Sequence, residues 1–368
     1  MTIIKYFSMF TGIGGFEYAI ERVSQSLRPI QPQDGAEPNS NIITNKLAEW
    51  KCVGYSEINR HATAIFRYHY PNLKNYGDAT KIDELGIPDF DILCGGFPCQ
   101  AFSIAGQRMG FKDTRGTLFF EIARIARTTR PCFLFLENVD GLLNHDNGRT
   151  FACILTTLSE LGYDAEWQVL DSQNFGVPQH RERVFIIGHL RGQCSRQVFP
   201  VGESTQDDTT KFKQKLIGNI FPSQHQAGNV YSADGVAPIL LDVSHIRHEG
   251  VREYHTICPT LNTVGGGGHL PLILRDGRDN RSCLRAGRTL EVGYAGYSIR
   301  RLTPIECERL QGFPDDWTKF GIDEKGEQYI VSDSQRYKCL GNAVTTKVIS
   351  AIAETITKKL FENFDATR

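Results

Sequence analysis

The sequence lacks a net charge, a long apolar run and an organised set of cysteines. Its 41 Lys and Arg meet 42 Asp and Glu, for a net charge of −1. That excludes a histone-like polycation, although a local basic patch would vanish in such a total. No apolar run approaches the roughly 18 residues that a membrane-spanning helix needs. The start, Met1-Thr-Ile-Ile-Lys-Tyr-Phe-Ser, shows neither the basic nor the apolar region of a secretory signal. The ten cysteines are scattered, no Cys-x-x-Cys occurs, and the closest pair is Cys94 and Cys99. A disulfide framework and a zinc site are therefore not expected. The expectation is a cytoplasmic protein of a reducing compartment, without a resident metal and without a membrane partner.

What is present is a chain of 368 residues, 40% hydrophobic and 23% charged, the composition of a globular protein with two domains. The first half alternates strand-like and helix-like stretches. Residues 2–10 form a strand pattern running into Thr11-Gly12-Ile13-Gly14-Gly15, followed by an amphipathic helix pattern over 16–27. Strands are expected at 52–57, 90–94, 133–136 and 184–187, with helices at 58–70 and within 116–130. Such alternation predicts an α/β fold with a mostly parallel sheet covered on both faces. A polar, proline-bearing stretch at about 24–49 reads as a surface insertion. From 191 to 300 the alternation stops, and 14 of the 35 glycines accumulate there. Helical patterns resume with Thr303-Pro304-Ile305-Glu306, a capped start, and end in an amphipathic helix carrying Val344, Val348, Ile352, Ile356 and Leu360.

The charge divides along the same line. Residues 191–300 hold 13 Lys and Arg against 10 Asp and Glu, and seven arginines fall between Arg275 and Arg301. The irregular segment is basic and the remainder acidic.

Four groups of residues carry chemistry. Phe10-Thr11-Gly12-Ile13-Gly14-Gly15 joins a strand to a helix, so its amides and the helix dipole can hold an anionic group; a plain tight turn is equally compatible. Glu57 ends the next strand, where an acidic residue holds ribose hydroxyls in nucleotide-binding folds. Cys99 follows Gly95-Gly96-Phe97-Pro98 in a loop at the carboxyl edge of the sheet. Exposure there suits a nucleophile, whereas Cys94, Cys132 and Cys153 read as small core hydrophobes. Glu137 ends an apolar strand at the same edge, an acid/base position. In Gln179-His180-Arg181-Glu182-Arg183, residues 179, 181 and 183 share one face. They present an amide and two guanidiniums suited to a phosphate or base edge, or simply a solvated strand start.

Together Phe10–Gly15, Gly95-Gly-Phe-Pro-Cys-Gln, Glu137-Asn-Val, Gln179-x-Arg-x-Arg, Arg301-Leu-Thr-Pro-Ile-Glu-Cys-Glu-Arg-Leu-Gln-Gly-Phe-Pro and Gly341-Asn-Ala-Val resemble the DNA (cytosine-5)-methyltransferases of bacteria and phages. The blocks occur in that family's order over about residues 5 to 355. The resemblance implies a Rossmann-like S-adenosylmethionine-dependent methyltransferase sheet with a smaller irregular target-recognition domain. It divides the chain into a catalytic and cofactor-binding domain at 1–190, a recognition domain at 191–334, and a segment at 335–368 returning to the first.

The resemblance also assigns roles. Cys99 would attack C6 of a cytosine flipped out of duplex DNA, Glu137 would hydrogen-bond its N3 and amino group, and Arg181 and Arg183 would hold the flipped nucleotide. Phe10, Thr11, Gly12, Gly14 and Gly15 would take the methionine end of S-adenosyl-L-methionine. Glu57 would hold the ribose and Asp78 the adenine amino group, with Ile58 and Phe97 flanking the adenine and Leu118, Asn342 and Val344 completing the pocket. Ser103 and Gln107 would close on the DNA, and Gln179 would join them. Thr260 and Leu261 match the family's Thr-Leu pair, while Arg275, Arg278, Arg281, Arg285 and Arg288 would meet bases or phosphates. Double-stranded DNA is the implied partner of a monomeric enzyme, functionally paired with a restriction endonuclease or serving phage self-protection. The alternatives are an RNA (tRNA) cytosine methylase of the same family, a nicotinamide-dependent oxidoreductase and a non-catalytic DNA-binding relative.

Overall fold

The computed structural model describes residues 2–26, 48–98, 118–193, 197–201 and 302–360 in full. It adds the backbone of the final helix to 366 and of six strands between 214 and 301. The first half builds β1 (Thr2–Met9), α1 (Gly15–Ser26), β2 (Ala48–Ser56), α2 (Arg60–His69) and β3 (Ile92–Gly96). Then come α3 (Leu118–Thr129), β4 (Phe133–Val139), α4 (Arg149–Glu160), β5 (Tyr163–Asp171) and β6 (Glu182–Leu190). These strands form one sheet in the order β2-β1-β3-β4-β6-β5. The first four are mutually parallel, and β6 runs antiparallel to both of its neighbours.

Alternation along the strands sends side chains to two cores. Tyr6, Ile92, Cys94, Phe133 and Phe135 turn to one face, where Phe16, Ala19, Ile20 and Val23 of α1 meet them. Phe7, Leu93, Leu134 and Leu136 turn to the other, against Ile122 and Ala126 of α3 and Ile154 and Leu158 of α4. The apolar positions of α1 and α3 recur at helical spacing, so each helix buries one stripe on the sheet.

The second half adds β7 (Gln214–Asn219), β8 (Asn229–Ala233), β9 (Ile239–Asp242), β10 (Arg252–Tyr254), β11 (Leu272–Asp276) and β12 (Tyr297–Arg301). β7 and β8 pair with each other, and the rest form a four-stranded antiparallel sheet, β10-β9-β11-β12. The expected irregular segment thus contains two small sheets; strands of three to six residues are too short to print a period on the sequence.

α5 (Pro304–Leu310) starts with the expected cap: Thr303 and Glu306 form a reciprocal capping box with Pro304 in the first turn. β13 (Phe320–Ile322) and β14 (Gln328–Ile330) make a hairpin, followed by α6 (Asp333–Asn342) and α7 (Thr346–Ala366). Leu302, Cys307, Leu310, Phe313 and Trp317 share a core with Ile13, Ala62 and Ile65 of the first half. α7 lies along α1, with Ser350 Oγ donating to Ala19 O at 3.1 Å, and is tied to β2 by Trp50 Nε1 donating to Thr357 Oγ1 at 3.0 Å.

Three sequence expectations need correction. The strand expected at 90–94 runs from Ile92 to Gly96, because Gly95 and Gly96 continue the ladder opposite Leu136 and Glu137. α4 and β5 were missed; β5 is an edge strand whose charged and half-exposed residues hide its period. Cys52, Cys94, Cys153, Cys307 and Cys339 are free, but Cys132 is disulfide-bonded, against the all-thiol expectation.

Candidate active site

Parallel strands end together, so β1, β2, β3 and β4 deliver Phe10, Glu57, Phe97 and Glu137 to one sheet edge. β6, running the other way, starts there and places Arg183 opposite Val139. The turn after α6 completes the ring. The resulting cavity holds about 620 Å³, within the range of small-molecule sites.

One side is open and carries acidic groups held by backbone amides. Glu57 Oε2 accepts from Gly12 N at 2.8 Å, and Oε1 from Ile58 N at 2.9 Å and Asn59 N at 2.7 Å. The carboxylate thereby ties the glycine turn to the end of β2 while keeping lone pairs for a ligand hydroxyl. Beside it Ile58 stands 74% exposed, an apolar surface facing the cavity. Asp78 Oδ1 accepts from Thr80 N and Thr80 Oγ1, and these bonds hold its carboxyl below the usual range. Asn75, which sequence reading passed over, accepts from the amides of Glu57 and Gly77.

The other side is closed and carries buried charge. Glu137 is 8% exposed, with Oε1 3.2 Å from Arg183 Nε. Burial raises its pKa, and Arg183 and then Arg181 oppose the rise. Gly96 leaves room beside it, since a Cβ there would lie 2.8 Å from Glu137 Oε2 and push the carboxylate aside. Asn138 donates to Phe97 O at 2.9 Å, anchoring the chain just before Cys99. Ser56, Asn59, Ala79, Pro98 and Cys339 also line the cavity and carried no distinguishing pattern in the sequence.

Of the expected cofactor residues, Phe10, Gly12, Glu57, Ile58, Asp78, Phe97, Leu118 and Asn342 line the cavity. Thr11, Gly14, Gly15 and Val344 instead form its support. Thr11 is buried on Ser8, Gly14 adopts φ +88°, and a Cβ on Gly15 would stand 2.6 Å from Val344 Cγ2. Glu137, Arg181 and Arg183 line the cavity as well. The alternation across 179–183 is real: His180 and Glu182 face outward and Gln179 and Arg181 inward. Gln179 is fully buried, which corrects its expected place against DNA. Arg181 is also more enclosed than expected, since its Nη2 donates to Ala343 O at 2.9 Å and Gly341 O at 3.4 Å. Cys99, Ser103, Gln107, Thr260, Leu261, Arg278, Arg281, Arg285 and Arg288 lie outside the described residues, as does the side chain of Arg275 on β11.

A cation-sized group is formed by Asp171, His180 and Glu182. Asp171 is already engaged there, accepting from the amides of Gln173 and Arg181 and pairing with His180.

A mostly parallel sheet with helices on both faces, and one cavity joining an acidic open side to a buried carboxyl–guanidinium side, define a Rossmann-like methyltransferase fold. The chain belongs to the C-5 cytosine-specific DNA methylases, whose family model matches residues 4–358, and it is a DNA (cytosine-5)-methyltransferase. It is 37% identical to the Type II methyltransferase M1.ScrFI of Lactococcus lactis subsp. cremoris over 84% of this chain and 73% of that protein. To the Type II methyltransferase M.HhaI of Haemophilus parahaemolyticus it is 32% identical over 98% and 96%. The crystal structure of the S. pombe Dnmt2 methyltransferase shares the fold, with a TM-score of 0.61 and 18% identity over 97% and 99% of the two chains. No helix among the described residues is long and apolar enough to cross a membrane.

Proposed function

We propose that the enzyme methylates C5 of a cytosine flipped out of a specific word in duplex DNA, using S-adenosyl-L-methionine and a covalent bond from Cys99 to C6. The observation that carries this reading is the continuity of the cavity. One space is lined by Glu57 and Asp78 on one side and by Glu137 and Arg183 on the other, so a nucleoside cofactor and an extruded base could meet within it. The donor set fits the cofactor: a carboxylate for ribose hydroxyls, an exposed aliphatic side chain for the adenine face and a second carboxylate for an amino group.

When bound, S-adenosylmethionine supplies an electrophilic methyl group on a sulfonium centre. The chain's residues prepare the base. The Cys99 thiolate adds to C6, and electron density moves into the ring toward N3. Glu137, whose pKa burial raises against the pull of Arg183 and Arg181, donates a proton there and accepts from the exocyclic amino group, which leaves C5 nucleophilic. Arg183 holds the base side. After methyl transfer the C5 proton is lost to a base, the Cys99–C6 bond breaks to release the thiolate, and the N3 proton returns to Glu137, restoring aromaticity.

Specificity is assigned to residues 191–334, in the service of restriction–modification or phage self-protection. The Type II methyltransferase names of the relatives support this reading. The test is expression in a methylation-free bacterial host followed by bisulfite sequencing. A repeated methylated word is expected, and an unmethylated genome together with methylated tRNA would move the substrate to RNA. Cys99→Ser should abolish transfer while retaining cofactor binding; full transfer by that variant would remove the covalent step.

A further inference from the structure

The turn Gly341-Asn342-Ala343-Val344 touches both sides of the cavity. Asn342 and Gly341 line it. Val344 is 8% exposed and sits on Gly15, at the start of the cofactor-side helix, where only a hydrogen leaves it room. The same side chain reaches Gly96, the last residue of β3, at 3.8 Å from where a Cβ would stand. The turn has two anchors. Gln311, fully buried, donates through Nε2 to Leu340 O at 3.1 Å and accepts from Thr345 Oγ1 at 3.0 Å. Arg181 reaches it from the opposite side, across 160 residues of chain, with Nη2 on Ala343 O and Gly341 O.

Arg181 is itself held. Its amide donates to Asp171 Oδ1 at 3.0 Å, and its carbonyl accepts from Ser172 N at 3.2 Å. Its guanidinium is 4% exposed and bonded on both sides of Asn342, the residue that reaches the cavity. Arg183, two residues on, points at Glu137 instead. The two arginines of one strand start thus serve different walls.

We infer that Arg181 is a positioning residue for the cofactor, holding the Asn342 turn in the shape that S-adenosylmethionine binds, while Arg183 pairs with Glu137 on the base side. This rests on the cofactor reading above and divides it: one arginine should control cofactor affinity and the other should not.

Titration calorimetry of S-adenosylhomocysteine into the DNA-free full chain tests the division. Two charge-assisted hydrogen bonds are lost in Arg181→Ala, so affinity should fall about tenfold or more. The KM for S-adenosylmethionine should rise in step, by more than kcat falls at saturating cofactor. Arg181→Lys, which retains a donor for one carbonyl, should recover part of the affinity, and Arg183→Ala should bind S-adenosylhomocysteine like the unsubstituted chain. Wild-type affinity in Arg181→Ala, with kcat or DNA affinity reduced, overturns the inference and returns Arg181 to the nucleotide. Should Arg181→Ala fail to fold, Arg181→Lys decides: a raised cofactor KM supports the inference and an unchanged one overturns it. A lack of S-adenosylhomocysteine binding by the unsubstituted chain would instead remove the cofactor reading, and this inference with it.

Discussion

The two sides of the cavity treat carboxyl groups in opposite ways. On the cofactor side Glu57 and Asp78 are fed by amides and a hydroxyl and face open space. Asp78 is thereby held below its ordinary pKa, so it stays an acceptor. On the base side Glu137 is buried and its pKa raised, with arginines limiting the rise. Hydrogen-bond donors stabilise an anion and desolvation penalises one, so one edge of one sheet shifts its carboxyl groups in opposite directions. A third carboxyl sharpens the contrast. Glu17, just beneath the glycine turn on α1, is 1% exposed, and burial pushes it up to about 7. The groups that feel its charge include Tyr6, Cys52, Tyr55, Cys94 and Tyr70, phenols and thiols rather than bases. Burial raises the pKa of both Glu17 and Glu137; at Glu137 arginines oppose the rise and a cavity lets a substrate reach the group.

The largest effect should come from removing the base-side proton. Glu137→Gln keeps the volume but cannot give up a proton, and kcat should fall by about 10²- to 10⁴-fold. Cofactor affinity should hardly change; equal losses in both would erase the distinction between the two sides. In the unsubstituted enzyme kcat should decline as pH rises through the raised pKa of Glu137, and that alkaline limb should vanish in the variant.

Glu17→Gln should act on stability rather than on transfer. Because the folded pKa is raised from 4.5 to about 7, the folded state alone resists ionisation. Stability should fall as pH climbs from about 4.5 to 7 and level off above, a loss of about 3 kcal/mol. The glutamine variant should lack that fall and be the more stable protein at pH 8, as chemical denaturation at several pH values would reveal. Parallel curves for the two proteins would place the proton elsewhere.

Changes on the open side should be milder. Glu57→Gln loses the charge that orders Gly12 and receives the ribose, and S-adenosylhomocysteine should bind about tenfold more weakly. Asp78→Asn, at a carboxyl that faces solvent, should cost only about two- to threefold. An Asp78 variant weaker than the Glu57 variant would mean that the adenine end, not the ribose, anchors the ligand.

Legibility followed chain locality. The glycine turn between a strand and a helix, an acidic residue at a strand end and the Thr303–Glu306 capping box are each marked by residues a few positions apart, so their residue types announce them; the bond from Gly12 to Glu57, 45 residues on, was not legible. Asn75 was silent, and Gln311 showed only as part of a motif block with no role, because each works through atoms contributed by distant segments. The six strands between 214 and 301 were silent for a different reason, being too short for an alternation to be counted.

By itself the sequence determined the family, the α/β alternation and the set of side chains that chemistry requires, since these depend on local pattern and on motif order. It also showed that residues 179, 181 and 183 share a face. Tertiary structure alone decided what each of the three meets. Gln179 is sealed in the core, Arg181 binds a turn 160 residues away, and Arg183 meets Glu137. A strand's period fixes which way a side chain points, but what it meets depends on which distant segment folds against it.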